Sequence, residues 1–273
     1  MRLIVFSKML KELGIAELID FAQELGIEGY DMAVRPGYPV NPDNVEKALP
    51  EAVAQFRAKG LDIPMVTAHT NVLLPDAEGE RLLAAMDAAD VRRLKLGYFK
   101  FVPGEMDYWD DVGKARAALE GWSALAQKYN VRACYHTHSQ RCLGLNAGTL
   151  AHMIRGFDPQ LIGAFLDAGH LRAEGEEFDV AVAIVREHLS MVAVKDFLLE
   201  RVDRENHGAV RRRVVEAGQG MCDWTAVFSE LKRIGFDGPV SIHCEFEVEQ
   251  SDMMDAVRRE VAFFRALREK VGA

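Results

Sequence analysis

Eight short apolar runs, each followed by an amphipathic stretch, fill this 273-residue chain almost end to end, and that alternation admits few folds. The runs lie near 3–7, 27–33, 61–68, 94–101, 131–137, 161–167, 190–196 and 239–246. They are rich in β-branched and aromatic residues, as strands covered on both faces of a parallel sheet are. Gly26, Gly60 and Gly235 stand where a helical pattern gives way to such a run, the left-handed position that closes a helix. Helical stretches fill the intervals, near 10–25 and over 76–90, and then as stripes. One stripe is Ala115, Leu119, Trp122, Leu125 and Tyr129; the next is Leu150, Met153, Ile154 and Phe157; a third is Val180, Ala181, Ile184 and Val185. Asp223 is placed to cap a helix carrying Val227, Phe228, Leu231 and Ile234, and a last amphipathic helix covers roughly 251–270.

Eight strand–helix units are the arithmetic of an α/β fold closed into a (β/α)8 TIM barrel, a single domain over 1–273. The rival is an open doubly wound sheet, which normally carries a glycine-rich phosphate turn after its first strand. FSKMLKEL stands there instead, and neither GxGxxG nor GxxxxGK followed by Ser or Thr occurs anywhere. The barrel is therefore the expected fold.

The chain is 27% charged and 49% hydrophobic, enough for a large core. No apolar run approaches the ~20 residues of a membrane helix. The opening MRLIVFSKMLKELG reaches Lys8, Lys11 and Glu12 too soon for a secretory segment, so a cytoplasmic protein without a membrane partner is expected. A net charge of −9 argues against a nucleic-acid partner, because phosphate backbones are bound by clustered cations. One such cluster exists at Arg211, Arg212 and Arg213, with Arg201 and Arg204 nearby. It reads as a solvated face, or as a grip on a sugar phosphate or acidic substrate. The four cysteines show no CxxC spacing, and Cys134 and Cys244 read as small buried strand residues. Trp109, Trp122 and the last helix read either as a homo-oligomer contact or as barrel packing.

Polar strings stand where the later runs stop: YHTH at 135–138, LDAGH at 166–170, VKDF at 194–197 and IHCEFE at 242–247. In a barrel of this kind, C-terminal strand ends carry the active site. Alternate strand residues share a side, which groups His136 with His138, and His243 with Glu245 and Glu247. A mixture of imidazole and carboxylate suits a divalent ion such as manganese, zinc, cobalt or magnesium. The same groups can also orient sugar hydroxyls without an ion. Glu245 is the first choice of base, with His243 as ligand or base and His170 beside them. Lys195 is placed to stabilise an enediolate oxygen, or else to pair with Asp196 or Asp167. His69, His138, His170 and Arg35 are expected against a carbohydrate substrate. Tyr98, Phe99 and Phe101 are placed either to stack on a sugar ring or to fill the barrel, filling being the expectation for two of the three.

Taken in order, ELGIEGYDMAVRPGYPVNP, YHTHS, LDAGH, VAVKDF, EAGQG with MCDW, and GFDGPVSIHCEFE resemble the sugar phosphate isomerase/epimerase group of the xylose-isomerase-like TIM barrels. The resemblance runs through most of the chain. It implies a metal at the barrel mouth and proton transfer on a carbohydrate through an enediolate-type intermediate. It also implies a metal set of glutamate, aspartate, histidine and glutamate after strands five to eight. Here Asp167 is kept, His170 follows as the substrate contact, and His136, Ala193 and His243 occupy the other places. One ligand is missing and two have changed type, which implies a divergent subgroup whose acid/base pair is altered, with the divalent ion expected on His136 (or His138), Asp167, His243 and Glu245, or no ion at all.

The leading expectation is an isomerase or epimerase acting on a monosaccharide, keto-sugar or related polyol. A keto-inositol-type dehydratase is the alternative enzyme, and a sugar-binding barrel without catalysis is the alternative of another class. A nuclease of the apurinic type shares the barrel, but it needs a multi-zinc set and a basic groove, and the charge of −9 counts against it.

Overall fold

The computed structural model describes residues 1–70 and 72–272. Strands β1 (Arg2–Phe6), β2 (Gly29–Val34), β3 (Asp62–Ala68), β4 (Arg93–Lys95), β5 (Arg132–His136), β6 (Ile162–Asp167), β7 (Leu189–Val194) and β10 (Pro239–Ile242) close into a parallel barrel. β1 pairs with both β2 and β10, so the barrel has no free edge. Around it lie α1 (Ile15–Leu25), α2 (Val45–Arg57), α3 (Ala77–Ala88), α4 (Tyr108–Tyr129), α5 (Ala147–Ile154), α6 (Ala168–Ala173), α7 (Phe178–Val185), α8 (Trp224–Arg233) and α9 (Met253–Val271). Among the described residues no helix is long and apolar enough to cross a membrane.

Local chemistry explains the punctuation. Asp76, Asp107, Asn146 and Asp223 accept backbone N–H groups at the starts of α3, α4, α5 and α8. Gly26, Gly60 and Gly235 all take positive φ just beyond helices, as the sequence predicts. At Gly29 a side chain is excluded outright, because a Cβ there would lie 1.8 Å from the carbonyl oxygen of Asp62 as β2 meets β3.

The structure corrects five expectations. The stretch near 10–25 divides into a 3-10 turn, Ser7–Leu10, and α1, broken around Gly14, which precedes α1. β4 stops at Lys95, because Gly97 lies against the backbone of Thr70 and Tyr98 then turns into the barrel mouth. The arginine-rich segment is an antiparallel hairpin of β8 (Asp196–Arg201) and β9 (Val210–Val215), in which Arg213 pairs with Glu200 on the opposite strand. The last barrel strand ends at Ile242, so the alternation is lost before Glu247, which is exposed. On α7, Val180 and Ile184 face outward, and Phe178, Ala181, Val182 and Val185 make the buried stripe.

Trp122 is fully buried on α4, its indole N–H donating to the Leu73 carbonyl at 2.8 Å, so barrel packing accounts for it, while Trp109 is exposed. On α9, Glu260 is buried and accepts the Ala217 N–H at 2.8 Å, with its other oxygen unpartnered. Burial raises its carboxyl from the usual 4.5 to about 8. The folded state then keeps a proton that the unfolded chain sheds, so this residue's contribution to stability falls as pH rises from 4.5 to about 8. Glu260→Gln is expected to raise unfolding free energy at pH 8 by about 1–3 kcal/mol and to leave it nearly unchanged at pH 4. Urea titrations at both values measure this, and equal effects at the two would count against it.

Candidate active site

The floor of the site is apolar. Ile4, Met65, Cys134, Phe165, Met191 and Ala193 form a buried cluster inside the barrel. Two residues further along the same strands, the side chains facing the same way are Phe6, Thr67, His136, Asp167 and Lys195. Ser241, in register with Ile4 and Ala193, leads in the same way to His243. Ala193 is also the register partner of Asp167, so a methyl group in the floor stands where a strand-seven ligand would stand.

Above the floor is a cavity of about 140 Å³, walled in part by Lys8, Lys95, Tyr98, Lys195, His243 and Glu245. Larger hollows, of about 360 and 410 Å³, lie outside the barrel, beside α6 to α8 and around Arg92, Arg93 and Arg132. The smaller one is the candidate site, because it joins the Glu245 carboxylate, three imidazoles and three lysines at the C-terminal strand ends.

Two carboxylates organise the charge. Glu245 accepts from Lys195 Nζ at 2.8 Å and from Lys8 Nζ. Burial works to raise its carboxyl, but Lys195, His243 and Lys8 outweigh that and hold it well below the carboxylate range. Asp167 is fully buried, and His136 Nε2, Lys195 Nζ and His170 Nε2 stand 3.3, 3.6 and 4.0 Å from its Oδ2. It too stays ionised, Lys195 and the imidazoles overcoming burial. Lys195 is itself raised, since the two carboxylates more than offset its burial.

The imidazoles divide by surroundings. Burial lowers His136 and His170 well below the usual imidazole value and brings His138 to about 4, so all three are neutral at pH 7. The Ser139 N–H donates to His170 Nδ1 at 3.3 Å, which puts that ring's proton on Nε2, facing Asp167. The Tyr98 hydroxyl lies 2.7 Å from His136 Nδ1, a contact that leaves the Nε2 side toward Asp167. His243 is different: burial works to lower it, but Asp31 and Glu245 raise it above the usual value. Its Nε2 is 3.8 Å from Asp31 and its Nδ1 3.7 Å from Glu245.

A divalent ion on His136, Asp167, His243 and Glu245 needs their lone pairs aimed at one point. The structure instead puts the Lys195 ammonium between the two carboxylates and sets His243 between Asp31 and Glu245. Among the described residues no group of three or more His, Cys, Asp or Glu is disposed to hold a metal ion. As they stand, the four residues do not fit the ion.

Of the expected substrate contacts, Arg35 and His138 line the cavity, while His170 lies behind His138 with ring centroids 3.9 Å apart. His69 is not on the cavity wall; Thr67 and Thr70 of the same strand exit are. Tyr98 also lines it, and Phe99 and Phe101 pack on the core. Arg212 and Arg213 are engaged by Glu174 and Glu200, away from the cavity. Asp196 accepts from four backbone N–H groups and the Trp224 indole, which makes it an anchor rather than a partner of Lys195.

Sequence reasoning passed over Lys8, Asp31 and Lys95. Asp31 and Lys95 stand inside apolar strand runs, and a lone charge at a core position was the available signal.

Comparison with solved structures agrees with the architecture. A 3-keto-D-glucoside 4-epimerase from E. coli superposes with a TM-score of 0.75 at 16% identity, covering 97% of this chain and 99% of that one. A probable 3-DHS dehydratase from Bacillus anthracis gives 0.73 at 14%, covering 97% and 99%. A structure of the IolI protein with a bound zinc atom gives 0.75 at 14%, covering 98% and 99%. At these identities the likeness shows the fold. No curated protein sequence matches the chain. The sequence profile of the xylose isomerase-like TIM barrels matches residues 19–267, and the chain belongs to that family.

Proposed function

We propose that this is a cytoplasmic sugar-modifying enzyme, an isomerase or epimerase that moves a proton beside the carbonyl of a monosaccharide, keto-sugar or related polyol. The observation that carries this reading is Glu245, an ionised carboxylate at the cavity wall, with the Lys195 ammonium 2.8 Å away and His243 on its other side. Neighbours of the same fold that are named as epimerases and as a dehydratase support it. The cavity of about 140 Å³ suits a small molecule and no polymer.

Glu245 is a weak base while two ammonium groups hold it. A substrate carbonyl oxygen that takes over the Lys195 hydrogen bond frees the carboxylate and raises its basicity. Glu245 then removes the proton from the adjacent carbon, and the electron pair moves to the carbonyl oxygen. The resulting enediolate faces the Lys195 ammonium, which supplies the stabilisation. His243, kept above the usual imidazole value by Asp31 and Glu245, returns a proton to the carbon or to oxygen.

Incubation with a panel of keto-sugars in deuterated water tests this. Solvent deuterium appearing at the carbon next to the carbonyl, with an isomer or epimer as product, is the expected result. A conjugated chromophore without isomer identifies a dehydratase instead, and no exchange with any member defeats both. Dialysis against EDTA is expected to leave turnover and melting temperature unchanged. A stoichiometric zinc, manganese or cobalt content by elemental analysis, lost together with stability on chelation, would show that Lys195 does not hold the ion's place.

A further inference from the structure

Among the described residues, two cations of the cavity form no ion pair. Lys95 is 3% exposed, and among the described residues its ammonium makes no hydrogen bond or ion pair and lies 3.8 Å above the Tyr98 ring. Arg35 makes no ion pair either; its guanidinium lies 5.5 Å from the Phe6 ring centroid and its Nε is buried without a partner. Thr67, the register partner of Lys95 on the neighbouring strand, has a buried hydroxyl with no partner. All three line the same cavity as Glu245.

The other charges there face one another, although Asp31 Oδ1 and Asp167 Oδ2 have no hydrogen-bond partner among the described residues. Lys8 and Lys195 share Glu245, Lys195 also faces Asp167, and Asp31 accepts the Ser241 hydroxyl at 3.0 Å beside His243. A buried charge without a partner is costly, so Lys95, with the half-buried Arg35 in the same small cavity, gains when a ligand neutralises it. We propose that Arg35, Lys95 and Thr67 form a subsite for an anionic group, so that the substrate is an acidic sugar derivative and not a neutral sugar. The carboxylate of a sugar acid fits this small space best, with the guanidinium and ammonium on its oxygens and the Thr67 hydroxyl donating to one of them.

The proposal deepens the isomerase reading, since it assigns the substrate class of the same cavity. It gives Lys95 a consistent state as well. Burial first, and then Arg35, bring the ammonium to about 7, against the opposing influence of Asp31 and Glu245, with Lys195 adding to the lowering. An arriving anion therefore holds a proton on Lys95 that the empty site partly gives up, and binding at pH 8 takes up protons.

Calorimetry on the whole protein tests the idea with matched pairs: D-glucuronate against D-glucose, D-glycerate against glycerol, and inorganic phosphate as a separate arm. The acid of a pair is expected to bind at least tenfold tighter than its neutral partner. Lys95→Met and Arg35→Met are expected to remove most of that preference, with melting curves confirming that they fold. Lys95→Arg keeps the preference and abolishes the proton uptake, which is read by repeating the titration in buffers of different ionisation enthalpy. Phosphate binding that exceeds both carboxylates and is lost in Lys95→Met supports the subsite and assigns it to a phosphate. Equal binding of acids and neutral partners, or preference retained in both methionine variants, overturns it. The two readings fail separately: neutral keto-sugars turned over with no gain from an anionic group leave the isomerase and remove the subsite. Anions bound through Lys95 with no deuterium exchange in any substrate leave the subsite and remove the isomerase.

Discussion

Glu245→Gln lowers turnover by about 10²- to 10⁴-fold, the range over which a positioned base contributes to a proton-transfer reaction. The amide keeps the shape and one acceptor oxygen but cannot accept the proton, and it presents N–H donors toward Lys8 and Lys195, which now share the carboxylate. Lys195 then has Asp167, 3.6 Å away, as its remaining carboxylate. Substrate affinity changes less than turnover, because the carboxylate acts on the carbon in the transition state while other groups hold the substrate. Deuterium exchange separates the roles: loss of exchange together with turnover marks the base, whereas exchange at the wild-type rate with slow turnover assigns Glu245 to another step. An unchanged melting temperature within a few degrees shows that the variant is folded.

Asp196→Ala is the largest expected stability effect, a loss of about 3–5 kcal/mol, seen as a fall of roughly 10 °C in melting temperature. Both oxygens of this fully buried carboxylate are saturated: Phe197 and Cys222 donate to Oδ1 at 2.9 and 3.1 Å, and Gly218, Gly220 and the Trp224 indole to Oδ2 at 3.0, 3.1 and 3.0 Å. Truncation strands those donors, and stranded buried donors cost more than the bonds contributed. The segment pinned is the one between β9 and α8, and a Cβ at Gly220 would come within 2.1 Å of Asp196 Oδ1. Chemical denaturation measures the loss. A loss under 1 kcal/mol, about the value of one ordinary hydrogen bond, would mean that water replaces the anchor.

The barrel was legible because its signals are local. Apolar runs, capping aspartates and positive-φ glycines are each decided within a few residues, and the eight-unit count follows from them. The hairpin of β8 and β9 was not legible, since its strands carry Arg211 to Arg213 and Glu200 and read as a solvated loop until they pair. The last strand was drawn too long for the related reason that IHCEFE keeps a strand-like alternation after the ladder has ended at Ile242.

In the candidate site, the strings ending β5, β6, β7 and β10 stand at one end of the barrel, and Arg35, His136, His138, Lys195, His243 and Glu245 meet at one cavity. Lys8 escaped because it looks like an ordinary solvated lysine in a linear reading, and Lys95 because a single charge in an apolar run does not say what it faces. The surroundings of both are a property of neighbours far away in the chain. A ligand set of four groups followed from the family resemblance and residue type, yet neither tells whether a carboxylate faces an ion or an ammonium.

The sequence by itself therefore determined the order of strands and helices, the barrel they close into, and the end of it where ionisable groups gather, because periodicity and punctuation act over a few residues. Closure of the barrel decided which charges share a cavity, which imidazoles are neutral, and which cations lack a partner. It brings Lys8 to Glu245 across 237 residues and Lys195 to the same carboxylate across 50, and at those contacts burial and pairing set the charge that the chemistry uses.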